Sequence, residues 1–254
     1  MILHSKIYGL KGQDFIIIHG LFGMGDNWAT LGRRFAKYHK VHLIDLRNHG
    51  KSPHSDNFNY DVMCEDLLHY IELHNINDAI ILGHSLGGKV AMKFAFTYPK
   101  KIAKLIVADI APKTYSTDFH QALLQKISKI DLTHFMKRND VENALSLFVD
   151  DTGMRFFLLK NLYRNESKKF AWRFNIKILL EQISNIQEAS FLHGTCNVST
   201  HFIIGGNSNY INSEDKGIIK KHFSDVSIAT IDGVGHWLHA ENPEEFYNEV
   251  IGFL

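Results

Sequence analysis

The chain has no surplus of either charge: 28 Lys and Arg stand against 27 Asp and Glu over 254 residues. That balance leaves no broad basic face for a nucleic-acid backbone or an anionic membrane. Neither nucleic acid nor stable membrane association is expected. Cysteine is scarce: Cys64 and Cys196 lie far apart and form no C-x-x-C pair. A disulfide framework and a thiolate zinc site are excluded, which leaves two reduced, buried thiols. No apolar run approaches the roughly 18 residues that a membrane-spanning helix needs. The opening MILHSKIYGLKG lacks the apolar stretch of a secretory signal. A soluble, cytoplasmic protein is the expectation. Sixteen histidines are many, yet no H-E-x-x-H occurs. His236-x-x-His239 has no carboxylate and histidine set to complete a metal site. No metal or other cofactor is expected.

Hydrophobic residues make up 45% of the chain and charged residues 22%, which is ordinary globular usage. The length suits one large α/β domain or a core with an insertion. Strands are expected at 2–8 (an edge), 15–18, 41–44, 79–82, 105–108, 201–204 and 226–231. Helices are expected at 27–39, 60–74, just after residue 85, at 214–223 and from Pro243. This alternation, with near-continuous apolar strands, indicates a mostly parallel sheet flanked by helices. Between 113 and 195 it breaks, and helices are expected at 118–130, 133–138, 140–149, 153–163 and 174–186, with no strand. The expected organisation is a core of residues 1–112 and 196–254, with a helical cap at 113–195 over the C-terminal strand ends, where binding crevices lie.

The most telling stretch is AIILGHSLGGKV at 79–90. A buried strand ends in Gly83-His84-Ser85-Leu86-Gly87, and Val90, Ala91, Phe94, Ala95 and Tyr98 then fall at helical spacing. Strand, glycine-flanked serine and helix make a nucleophile elbow. The glycines avoid clashes of a Cβ with the neighbouring strand and helix, and the helix N-terminus favours developing negative charge. Gly83-x4-Gly88-Lys89 also matches the start of a phosphate-binding P-loop, but Val90 stands where a Ser or Thr would hold Mg²⁺. Nucleotide binding is therefore a remote alternative.

A serine nucleophile needs a base, an orienting acid and an oxyanion hole. The base is His236, in Gly233-Val234-Gly235-His236-Trp237 after the last strand, with His239 as runner-up. One oxyanion donor is the Leu86 N–H. The other comes from His19-Gly20-Leu21-Phe22-Gly23, with Leu21 preferred to Phe22. The usual place of the acid, after the strand at 201–204, reads Gly205-Gly206-Asn207-Ser208, and neither Ser nor Asn supplies a charge. Asp109, ending the strand beside the elbow strand, is the replacement, with Asp215 and Asp232 as alternatives.

With those residues in view, the chain resembles the YbfF-like esterase family of the α/β-hydrolase fold. The resemblance rests on His19-Gly-Leu-Phe-Gly, Asp45-Leu-Arg-Asn-His-Gly-Lys-Ser-Pro, Gly83-His-Ser-Leu-Gly-Gly-Lys, Asp109-Ile-Ala-Pro, Trp172-Arg-Phe-Asn, Gly205-Gly-Asn-Ser and Gly235-His-Trp-Leu-His-Ala-Glu. It implies a triad of Ser85, Asp109 and His236, with Ser208 as an auxiliary that supports the histidine. It also implies carboxylester or acyl-thioester substrates handled through an acyl-enzyme. A C–C bond hydrolase or lyase on the same fold is the alternative. Phe22, Trp172 and Trp237 are candidate substrate contacts. Phe156 to Leu159 and Phe170-x-Trp172 read equally as an acyl pocket or as packing. The 113–195 segment carries 12 Lys and Arg against 9 Asp and Glu. A mildly cationic cap, Lys168 and Lys169 included, would suit an anionic head group such as coenzyme A.

Overall fold

In a computed structural model, residues 1–189 and 193–254 are described. Seven strands form one sheet in the order β1-β3-β2-β4-β5-β8-β9. They are β1 (Ser5–Tyr8), β2 (Asp14–Ile18), β3 (Lys40–Ile44), β4 (Ala79–His84), β5 (Ile102–Ala108), β8 (Ser199–Gly205) and β9 (Val226–Ile231). β1 pairs antiparallel with β3 at one edge, and every other pairing is parallel. The expected edge strand thus lies at the edge, and the fold is the α/β-hydrolase fold.

The side-chain alternation of a strand explains the layering. Ile16 and Ile18 of β2 enter the apolar cluster that holds Met63 and Leu67 of α2 (Tyr60–Leu73) and Phe94 of α3 (Leu86–Thr97). Phe15 and Ile17 point the other way. They meet Leu31 and Phe35 of α1 (Ala29–Phe35), and their cluster extends to Phe246 and Val250 of α10 (Pro243–Phe253). Covered on both faces, β4 has no exposed residue. α8 (Ser213–His222) joins β8 to β9, and a single turn, α9 (Leu238–Glu241), precedes α10.

The chain between β5 and β8 carries α4 (Asp118–Ile127), α5 (Arg138–Ser146), α6 (Thr152–Leu159), β6 (Leu162–Arg164), β7 (Phe170–Trp172) and α7 (Ile176–Gln182). Leu124, Leu145, Leu158 and Leu179 of this insertion belong to the same apolar cluster as α2 and α3. The insertion therefore shares the core of one sheet face.

Three expectations are corrected. The insertion is not wholly helical, because β6 and β7 form an antiparallel hairpin. Each strand has three residues, too few for an alternating pattern to register, and the turn closes through Lys168, at φ 60°, whose N–H donates to Asn165 O at 2.8 Å. The helix expected at 133–138 is a short 3₁₀ turn, Leu132–His134. The helix expected at 27–39 is a 3₁₀ turn, Gly25–Trp28, followed by α1, which stops at Phe35 because residues 36–39 turn back to start β3. Among the described residues, no helix is long and apolar enough to cross a membrane.

Candidate active site

Ser85 sits between the end of β4 and the start of α3 with φ 53° and ψ −117°. A side-chain-bearing residue held there costs about 1–3 kcal/mol. The surroundings enforce it. A Cβ on Gly83 would lie 2.2 Å from Gly87 O, and one on Gly87 would lie 2.4 Å from Ile18 O. The Ser85 N–H donates to Ala108 O at 3.1 Å, tying the elbow to β5. The side chain reaches the wall of a cavity of about 470 Å³, between the sheet edge and the insertion. Lys89, one turn further along α3, is buried. Its ammonium donates to Gln187 O at 3.0 Å and Glu188 O at 3.2 Å, and burial lowers its pKa to about 7. The lysine of the P-loop look-alike is thus committed to two carbonyls of the insertion.

Asp109 follows β5 at φ 50°, fully buried. Its Oδ1 accepts the Gly205 N–H at 3.0 Å, and its Oδ2 accepts from His236 Nδ1 at 2.7 Å. The Nδ1 proton therefore faces the acid, and Nε2 is the free ring nitrogen. Both His236 and Ser85 line the cavity. Among the described residues, no hydrogen bond joins the Ser85 hydroxyl to the ring. Ser208 departs from expectation: its hydroxyl donates to Asp109 Oδ2, not to the histidine. The alternatives for the acid are occupied elsewhere. Asp215 pairs with Lys113 at 2.6 Å and caps α8, while Asp232 is exposed. His239 stacks on Trp28 at 4.0 Å, and burial holds its pKa down at about 3, so it remains a neutral packing ring.

The loop after β2 is braced by His19. Its Nδ1–H donates to Gly20 O at 2.8 Å, and its Nε2 accepts the Leu46 N–H at 3.0 Å. Both nitrogens are used in the neutral form, which burial also favours. The Gly23 N–H donates to Gly20 O at 2.9 Å, closing a turn with Phe22 at φ 61°. A positive φ at the third residue is type II geometry. Among the described residues, the Leu21 and Phe22 N–H groups find no acceptor. A Cβ on Gly20 would sit 3.2 Å from the Ser85 Cβ, so this loop lies against the elbow. Leu86, first in α3, carries one of the N–H groups that a helix leaves unpaired.

A family model described as the alpha/beta hydrolase fold matches residues 15–126. Esterase YbfF of Escherichia coli is 30% identical over 244 residues, covering 96% of this chain and 94% of that protein. An sn-1-specific diacylglycerol lipase, ABHD11, of Danio rerio is 34% identical over 262 residues, covering 99% of this chain and 82% of that one. The solved structure of a marine microorganism esterase superposes with a TM-score of 0.96 at 39% identity, covering 100% and 99% of the two chains. The chain belongs to the YbfF-like esterase family. It is an α/β-fold ester hydrolase.

The wall of this esterase's cavity differs in part from expectation. Phe22 and Trp237 line it, the latter with its ring 5.9 Å from Phe157 of α6. Trp172 does not: it stacks on Phe174 at 5.4 Å, which in turn packs on Phe22, so Trp172 lies two layers behind the wall. Of the 156–159 stretch, Phe157 lines the cavity, Phe156 is exposed, and Leu158 and Leu159 are core. Lys168 and Lys169 lie at the hairpin turn, away from the lining residues. Sequence reasoning missed Tyr210, whose ring stacks on His236 at 3.8 Å and 11°. It also missed His84, whose Nε2–H donates to the His236 carbonyl at 2.8 Å; burial holds His84 neutral. His84 lies inside the elbow motif and Tyr210 two residues past Gly205-Gly-Asn-Ser, but their targets are in other segments. Nothing local marks His120, which lines the cavity from α4.

Proposed function

We propose that this esterase works by the serine mechanism on esters with an apolar acyl group. Ser85 Oγ attacks the carbonyl carbon as His236 Nε2 takes its proton. The tetrahedral oxyanion is held by the Leu21 and Leu86 N–H groups, at the N-terminus of α3. His236 then gives the proton to the leaving alcohol, and the C–O bond breaks to leave the acyl group on Ser85. Water attacks that ester with His236 as base and releases the acid. Asp109 holds the ring tautomer throughout. The observation that carries this reading is the Asp109–His236 bond at 2.7 Å, on the same cavity as a strained, glycine-flanked serine.

The insertion acts as a cap in this reading. Ile110, Met154, Phe157 and Ile186 give the cavity apolar walls suited to an acyl chain. The lipid ester in the name of the Danio rerio relative fits such a wall. Among the cavity-lining residues Lys89 is the single Lys or Arg, already bonded to two carbonyls. Charge therefore gives no preference for a coenzyme A thioester over a neutral ester.

The test is hydrolysis of p-nitrophenyl esters and matched acyl-thioesters of increasing chain length by wild type and Ser85→Ala, with labelling by a fluorophosphonate. Wild type should turn over and be labelled at Ser85, and the variant should do neither while keeping its melting temperature. Activity or label surviving in Ser85→Ala would remove the serine mechanism.

A further inference from the structure

The insertion grips the loop that carries Leu21. Asn161, fully buried between α6 and β6, donates from Nδ2 to the Phe22 carbonyl at 2.7 Å. The same Phe22–Gly23 peptide is held at its other side, where the Gly23 N–H donates to Gly20 O. One grip is local; the other arrives from 139 residues away. Phe22 needs it, because a bulky residue seldom keeps a φ of 61° unaided. Its ring packs against Phe174 at 5.4 Å and His120 at 6.1 Å, both from the insertion.

Asn161 is itself fixed. Its N–H donates to Leu158 O at 2.9 Å, and its backbone O accepts the Arg173 N–H at 3.0 Å. This gives the Trp172-Arg-Phe-Asn segment a use. Trp172 backs Phe174, Phe174 backs Phe22, and the Arg173 backbone holds Asn161. Asn175 anchors the group to the core, its N–H donating to Asn48 O at 2.9 Å.

We infer that Asn161 is a positioning residue for the oxyanion hole, fixing the turn so that the Leu21 N–H group points at the developing charge beside that of Leu86. This rests on the serine mechanism proposed above. Such donors act by being in place beforehand, and a displacement of about 1 Å can cost roughly a hundredfold in rate. The insertion then contributes to the chemical step as well as to substrate choice.

The test uses the full chain with Asn161→Ala and with Asn161→Asp, which keeps the shape but loses the donor. Each should lower kcat by roughly 10- to 100-fold with KM within about twofold. The affinity of an acyl trifluoromethyl ketone, whose adduct fills the oxyanion hole, should fall by the same factor, while the non-hydrolysable ether analogue binds as before. Folded variants with kcat within twofold of wild type overturn the inference. So does a loss shared equally by the ketone and the ether, which marks a general loosening. If neither variant folds, Phe174→Leu decides: a joint fall in kcat and ketone affinity supports the inference, and unchanged ketone affinity overturns it. Ser85→Ala is run beside them. Full activity in that variant would overturn the mechanism and this inference together, whereas inert Asn161 variants beside an essential Ser85 overturn this inference alone.

Discussion

Asp109 Oδ2 receives two donors at once, the His236 Nδ1–H and the Ser208 hydroxyl, while Oδ1 takes the Gly205 N–H. Asp109→Asn should lower kcat by roughly two to four orders of magnitude, because an amide no longer enforces the tautomer with Nε2 free. Ser208→Ala removes one hydrogen bond to a carboxylate, worth about 1.5–3 kcal/mol, so it should cost no more than roughly a hundredfold. Pre-steady-state hydrolysis of a p-nitrophenyl ester measures both, and equal losses would show that the hydroxyl is no mere accessory. Ser85 and His236 could be named as candidates because a local pattern marks each, and both line the same cavity. Asp109 became the candidate acid because the usual position lacks a charge, and the structure brings it to His236. Ser208 was misdirected to the ring because a one-dimensional reading cannot tell which member of a bonded pair it faces. Tyr210, His84 and Asn161 act on partners 26, 152 and 139 residues away in the chain, and such contacts leave no spacing to read.

At the scale of elements, burial decided what could be read. β2, β4 and the second half of β8 are largely apolar where both sheet faces are covered, and each strand falls within two residues of its expected bounds. The insertion was harder. α6 was expected to run to residue 163 but ends at Leu159, after which Lys160 and Asn161 leave the helix. The chain there trades helical hydrogen bonds for the contacts of Asn161 and the hairpin. β6 and β7 carry Tyr163 and Arg164 opposite Ala171 and Phe170, a mix with no clean period. Local propensity is weakest where tertiary contacts place the residues. The hairpin was unread for the same reason that Asn161 was.

The molecule holds four histidines neutral, three of them buried and His120 half-buried in the cavity wall. Burial lowers the pKa of His49 and His239 to about 3 and of His120 to about 4, and holds His84 well below its ordinary value. Unfolded, each would take up a proton below about pH 6.5; folded, none does until far lower. The stability they support is complete above about 6.5 and lost as pH falls toward the folded values. Each adds up to about 1.4 kcal/mol per pH unit in that window. Urea unfolding at pH 7, 6 and 5 should show a steep decline. His239→Phe, which keeps the stack on Trp28, should flatten it by about one proton, and an unchanged slope would refute the assignment. The shared core has another effect. Leu124, Leu158 and Leu179 lie in one apolar cluster with Met63 and Phe94, and exposing each costs about 1.5–3 kcal/mol. An oil surface would have to repay all of this to peel the insertion away. Hydrolysis of a short-chain triglyceride should therefore saturate with dissolved monomer and show no jump as an emulsion forms; a jump would mean that the insertion opens at interfaces. On that expectation the ester reaches the cavity from solution, one molecule at a time, with the insertion still seated on the core.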